Sequence, residues 1–231
     1  MKSALSIFMG RRAATIIEQT GWQAAPFSLL VGASGGPKWL ILSELDQVLG
    51  KELLSKAHQP ITLIGSSIGT WRHACLSQPD PIAAVKRLQH AYLHQEYRST
   101  KPSPREVSQV AEQLLREALG AEGIQNIVQH RRLMNTVITA HAKGMARGRR
   151  GAALVGGMAA AMVANTLSRR ALSRLFERVA FCHSGVTEVP FARGFNTQKV
   201  MLTERNLVPA LKASGAIPLL MQCEENIPGG P

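Results

Sequence analysis

The sequence predicts an α/β fold, a mostly parallel central sheet with helices on both faces. Two observations carry this reading. Short apolar runs stopped by glycine, FSLLVGAS at 27–34 and ITLIG at 61–65, have the length and composition of buried parallel strands. Segments with helical spacing alternate with them, and strand–helix alternation closes into a parallel sheet wrapped by helices. With 231 residues and 45% apolar content, one domain over 1–231 can build its own core.

The remaining elements follow in order. MKSALSIFMGRR has too short an apolar run for a secretory signal, and its pattern continues as a helix. PKWLILSELDQVLG (37–50) reads as a helix with Pro37 at its first position, Trp39, Leu42, Leu45 and Leu49 on one face, and Gly50 as its stop. A helix is expected from Ser67 or just after it, with others over 81–97 and 104–119. STKPSP between the last two is a loop and the best place for a local insertion. LMNTVITAH (133–141), RVAFCH and QKVML read as strands, and SRRALSRLFER as helical. TERNLVPALKASG is a short helix capped by Thr203, and AIPLLM a last strand or extended stretch.

GAALVGGMAAAMVANTL (151–167) is 17 residues without a charge, between ARGRRG and SRRALSRLFER. A spanning helix needs about 20 residues. The segment reads as a buried helix with basic ends, and the alternative is a helix that dips into a lipid surface.

The net charge is +12, and Asp46 and Asp80 are the only aspartates. A basic surface attracts nucleic acid, anionic lipid or acidic substrates. No run interleaves Lys/Arg with aromatics, so nucleic acid is not expected as a partner. Cys75, Cys182 and Cys223 are an odd, widely spaced set that argues against disulfides or a zinc site and for a reducing cytoplasm. No His or carboxylate pair has metal-ligand spacing, and neither a metal nor a cofactor is expected.

Chemistry concentrates in two glycine-containing loops. LIGSSIGTWRHA (63–74) holds the pattern G-x-S-x-G, with Ser67 between Gly65 and Gly69, after a strand and before a helix. That is the context of a nucleophile elbow, in which flanking glycines relieve clashes around a strained serine. The competing reading is a plain glycine turn capped by Ser66 or Ser67. VGASGGPKW (31–39) follows the first strand and opens a helix. It fails as a P-loop, because Pro37 separates Gly36 from Lys38 and Trp39 stands where a Mg²⁺-binding hydroxyl belongs. An oxyanion hole needs only two N–H donors near the serine, which Gly35 and Gly36 can supply. Gly32 and Lys38 support this loop, or Lys38 holds a phosphate. A plain strand-to-helix turn is the competing reading here.

Three motifs in order resemble the bacterial patatin-like phospholipases. They are Gly35-Gly36-Pro37-Lys38 for the oxyanion loop G-G-x-[RK], Gly65 to Gly69 for the elbow, and Ala213-Ser214-Gly215-Ala216-Ile217-Pro218 for A-S-x-A-x-P. The resemblance covers roughly residues 28–231. It implies a three-layer α/β sandwich and lipid acyl ester hydrolysis through an acyl-enzyme on Ser67, with the oxyanion at Gly35 and Gly36. It also implies peripheral contact with an anionic membrane, suggested too by the basic surface and the Ala-rich helix. Another serine acyl-transfer enzyme, a thioesterase or acyltransferase, and a non-catalytic anionic-lipid-binding module are the alternatives.

One part departs from the family. Its base is an aspartate in a D-G-[GA] motif beyond A-S-x-A-x-P, and no Asp follows Asp80 here. The expectation is therefore an N-terminal part of a longer lipase-like protein, its fold incomplete at the C-terminus and its own turnover very low. Within the chain, His183 and His141 end expected strands and are the only alternative bases with a case. Asp80 reads as a helix cap or surface turn.

Overall fold

The computed structural model describes residues 6–23, 27–148, 151–188, 191 and 195–231. Arg149 and Arg150 of the basic segment before the Ala-rich helix lie outside the described residues, as do the first five residues of the N-terminal segment. The chain is α/β, with one five-stranded, mostly parallel sheet in the order β1-β2-β3-β4-β5 and helices packed on it. The strands are β1 (Leu29–Gly32), β2 (Ile61–Ser66), β3 (Leu133–Ala142), β4 (Phe176–Cys182) and β5 (Thr197–Met201). Only the β3–β4 pairing is antiparallel. That reversal brings the end of β3 and the start of β4 together, Ala142 opposite Phe176, at the end of the sheet where β2 delivers Ser66.

The helices are α1 (Arg11–Thr20), α2 (Ser43–Val48), α3 (Ile68–Leu76), α4 (Pro81–Leu93), α5 (Pro104–Leu119), α6 (Gly123–Val128), α7 (Gly151–Leu167), α8 (Arg169–Leu172) and α9 (Leu207–Gly215). Register explains where the core lies. The row Gly32, Gly65, Val137, Phe181 and Val200 crosses all five strands and is buried throughout. The next row, Val31, Ile64, Thr136, Cys182 and Met201, points to the other face because strand side chains alternate, and its outer members are exposed. The buried face packs against Ile68, Leu88, Leu115, Leu207 and Leu211 from four helices. Trp71 of α3 also donates its indole N–H to the Leu211 carbonyl at 3.0 Å, joining α3 to α9.

Several elements differ from the sequence reading. The 37–50 segment starts as a 3₁₀ turn (Gly36–Leu42), becomes α2, and runs on with π-type bonding to Leu54, so Gly50 is no stop. Gly50 is instead a contact point, where a Cβ would come within 2.9 Å of Pro81. α4 ends at Leu93, short of 97. α9 starts at Leu207, because Thr203 and Asn206 bond each other: Thr203 N–H donates to Asn206 Oδ1 at 2.7 Å, and Asn206 N–H to Thr203 Oγ1 at 3.3 Å. AIPLLM is a turn rather than a strand, with Leu219 at φ 71° and Met221 N–H donating to the Ile217 carbonyl. α7 is not a buried helix, since only Gly157 and Ala164 are buried along it. No described helix is long and apolar enough to cross a membrane.

Asp46 on α2 is fully buried and holds Arg72 of α3 through two bonds of 2.6 Å, a bidentate pair that locks the helix after Ser67 onto α2. Asp46→Asn strands a nearly buried guanidinium, and breaking a buried pair from one side costs about 3–5 kcal/mol. Urea unfolding is expected to show that loss, while Asp46→Asn with Arg72→Met recovers most of it.

Candidate active site

β2 ends at Ser66 and α3 begins at Ile68, so Ser67 alone makes the turn between them. Its backbone sits at φ 55°, ψ −133°, a conformation that costs an L-residue about 1–3 kcal/mol and persists only when its surroundings enforce it. The enforcement comes from glycines. A Cβ on Gly65 would lie 2.7 Å from the Thr70 nitrogen, and one on Gly69 would run into the Gly32 carbonyl. One on Gly32 would lie 2.8 Å from the Gly69 oxygen. The end of β1 therefore lies backbone against backbone on the first turn of α3, as side chains of any size would forbid.

The Ser67 hydroxyl makes no capping bond to α3. Its carbonyl instead accepts from Thr70, from the N–H at 2.9 Å and the hydroxyl at 2.8 Å. Its own N–H donates to Ser214 Oγ at 2.8 Å, and the Ser214 hydroxyl donates to the Ile138 carbonyl at 2.6 Å. One side chain from the last turn of α9 thus ties the strained residue to β3. Ser214 belongs to a motif visible in the sequence, but this clamp spans 147 positions and has no local signal.

The glycine loop lies beside the elbow. The Ser34 hydroxyl donates to the Ser66 carbonyl at 3.4 Å, and Lys38 N–H closes the loop on the Gly35 carbonyl at 3.2 Å. Gly36 takes φ 51°, so the position favours glycine. The N–H groups of Gly35 and Gly36 have no acceptor among the described residues, and Gly35 is exposed. Lys38 is exposed, and it is its backbone that holds the loop.

Among the described residues Ser67 Oγ makes no hydrogen bond to an acid or a histidine. Asp80 caps α4, accepting from Ala83 N–H at 2.9 Å, and Asp46 is committed to Arg72. His183 follows β4 at the opposite end of the sheet: its N–H donates to the Asn135 carbonyl, three residues before Ile138 on β3. Three residues of strand are about 10 Å, so His183 is no partner for Ser67. His141 stands on β3 three residues beyond Ile138, opposite Glu177.

One histidine the sequence did not single out bears on the site. His73 of α3 is buried beneath Gly32, its ring 2.8 Å from where a Gly32 Cβ would stand, and its Nδ1 has no partner. Burial, reinforced by the neighbouring Arg72 charge, pushes its pKa down to about 3, so it sits neutral under the glycine loop.

A cavity of about 560 Å³ opens beside the elbow. Ser66 and Ser214 line its inner end, Ile138 and Phe176 its sheet wall, and Leu154 and Met158 of α7 its roof. The cavity is lined by Ser66 and Ser214, the neighbours of Ser67, and not by Ser67, Gly35 or Gly36. A strained serine beside a loop with two N–H groups that have no acceptor among the described residues is suited to acyl transfer. No family model, curated protein or solved structure matches this chain.

Ser214→Ala is expected to leave the Ser67 N–H and the Ile138 carbonyl unpaired, costing about 1–3 kcal/mol by urea unfolding, with Ser214→Thr retaining part of it. His73 sets a pH dependence. The folded chain resists protonation until about pH 3, whereas the unfolded imidazole titrates near 6.5. The unfolded chain thus binds the extra proton between those values, and stability present above pH 6.5 is lost as pH falls toward 3, at up to about 1.4 kcal/mol per pH unit. Stability measured against pH in His73→Gln should lack that component of the slope.

Proposed function

We propose that the chain is a patatin-like serine acyl hydrolase acting on lipid esters through Ser67. The observation that carries this is the backbone of Ser67, held at φ 55° between β2 and α3. Strain of this kind, over-determined by three glycines and the Ser214 clamp, supports reading Ser67 as a positioned nucleophile.

In this reading Ser67 Oγ attacks an ester carbonyl, and the Gly35 and Gly36 N–H groups receive the developing oxyanion. The tetrahedral intermediate collapses, the bond to the leaving oxygen breaks, and that oxygen departs as the alcohol with the proton Ser67 Oγ gave up; water then attacks the acyl-enzyme, releasing the acid and returning a proton to Ser67 Oγ. The acyl chain lies in the cavity that starts at Ser66 and Ser214. The α/β core and the order of the three motifs support the finer assignment to the patatin-like three-layer sandwich. With no base in contact with Ser67 Oγ among the described residues, turnover by this chain is slow and acylation outlasts many encounters.

A fluorophosphonate probe is expected to label Ser67 selectively, the adduct located by peptide mass spectrometry and absent in Ser67→Ala. Hydrolysis of phospholipid is expected to exceed that of acyl thioesters. Labelling no faster at Ser67 than at exposed serines such as Ser34 would remove the nucleophile from the reading.

A further inference from the structure

The exposed apolar surface of α7 is unexplained by the fold. Val155, Met162, Val163 and Leu167 are each more than half exposed, although the helix carries no charge over its 17 residues. A helix that is apolar all round is normally covered on every side. Here one side faces the cavity through Leu154, Gly157, Met158 and Ala161. Gly157 presses so closely on the Met145 carbonyl that a Cβ there would come within 2.6 Å. The other side meets solvent. Ile217, Leu219 and Leu220, also exposed, belong to the turn after α9, and Leu219 shares a cleft with Gly151 and Leu154 of α7.

The chain on either side of α7 carries charge of one sign, the nearest acids of the two openings being Glu177 and Glu224 in the cavity and Glu225 in the cleft beside Leu219. From Gly123 to Phe176 the sequence has nine Lys and Arg and no Asp or Glu. Among the described residues Arg147 stands exposed before α7, and Arg169, Arg170 and Arg174 stand exposed after it. Two copies meeting through this face would bring like charges together, which disfavours a symmetric dimer. A protein partner is also a poor match, since 151–167 has no aromatic residue and only Asn165 and Thr166 as polar side chains, whereas protein interfaces are rich in aromatics and hydrogen bonds. At 17 residues, about 26 Å long, the helix is too short to span a bilayer but can lie in its interface.

We infer that α7 and the 217–220 turn dock on an anionic bilayer surface, the flanking arginines meeting phosphate headgroups and the outward side of α7 entering the acyl boundary. The cavity on the inward side of the same helix then stands one helix diameter from the lipid and takes an acyl chain directly from it. Only that last step rests on the hydrolase reading.

The docking is tested on the full chain carrying Ser67→Ala, so that catalysis plays no part. Co-sedimentation is measured with phosphatidylcholine vesicles, with and without phosphatidylglycerol. Binding is expected only with phosphatidylglycerol and weakens with salt. Arg169→Gln, Arg170→Gln and Arg174→Gln together should weaken it about 100-fold, about fivefold for each charge. Met162→Gln with Val163→Gln should weaken it about tenfold or more without altering the circular dichroism, because both side chains are already exposed. Equal binding to both vesicle types, no binding to either, or binding unchanged in both variants overturns the inference. So does a vesicle-free dimer, seen by sedimentation equilibrium, that Met162→Gln with Val163→Gln dissociates, because the face then belongs to a second copy. Ser67→Ala that docks as expected, beside a wild type that never hydrolyses lipid, leaves the docking standing and removes the hydrolase reading alone.

Discussion

The arrangement depends on a contact between two stretches of backbone. The end of β1 and the first turn of α3 meet at Gly32 and Gly69 with no side chain between them, and Gly65 lets the chain turn back over its own strand. That approach forces Ser67 into its positive φ and brings the glycine loop of 32–36 against the elbow. A methyl group at any of the three positions would push the loop from the serine. The N–H groups of Gly35 and Gly36, without an acceptor among the described residues, are thus tied to the geometry of Ser67 through the Gly32–Gly69 approach and the Ser34 bond to Ser66.

Holding a strained residue needs supports that do not move with it. Ser67 has three from different parts of the chain. Its N–H is held by Ser214 from α9, the same hydroxyl is anchored on β3, and α3 is pinned to α2 by the Asp46–Arg72 pair. α9 in turn is fixed to α3 through the Trp71 indole and the Leu211 carbonyl. The closed circuit α3–α9–β3–β2 explains why a residue costing a few kcal/mol locally survives in the native state. Both aspartates are spent on structure within it or beside it, one as ion-pair partner and one as helix cap.

What the sequence revealed follows the range of the forces involved. The strands at 61–66 and 133–142 and the helix at 104–119 are set by local periodicity and caps, and the structure has them within a residue or two of the expected limits. The strand, turn and helix around Ser67 were readable because the glycines that permit the turn are its neighbours in sequence. The clamp by Ser214 was not, since nothing in A-S-G-A-I-P says which backbone group its hydroxyl will meet. AIPLLM was misread because an apolar run looks alike in a buried strand and in a turn whose apolar side chains stay exposed. α7 was misread as buried because composition records how apolar a helix is and not which of its sides the rest of the chain covers. His73 was passed over since its role comes from lying under Gly32, a residue 41 positions earlier in the numbering.

The single antiparallel pairing in the sheet has a consequence for variation. β3 arrives at the serine end and β4 departs from that end, so the 33 residues between Ala142 and Phe176, with α7 and α8, form an excursion that starts and finishes at one place. A parallel crossover would have to return to the far end and would be bound in length by the width of the sheet. This excursion is bound only by the few ångströms between neighbouring strands. Its length and chemistry can therefore vary without shifting the register of β3 against β4, so this excursion can be exchanged as a cassette while the sheet stays as it is.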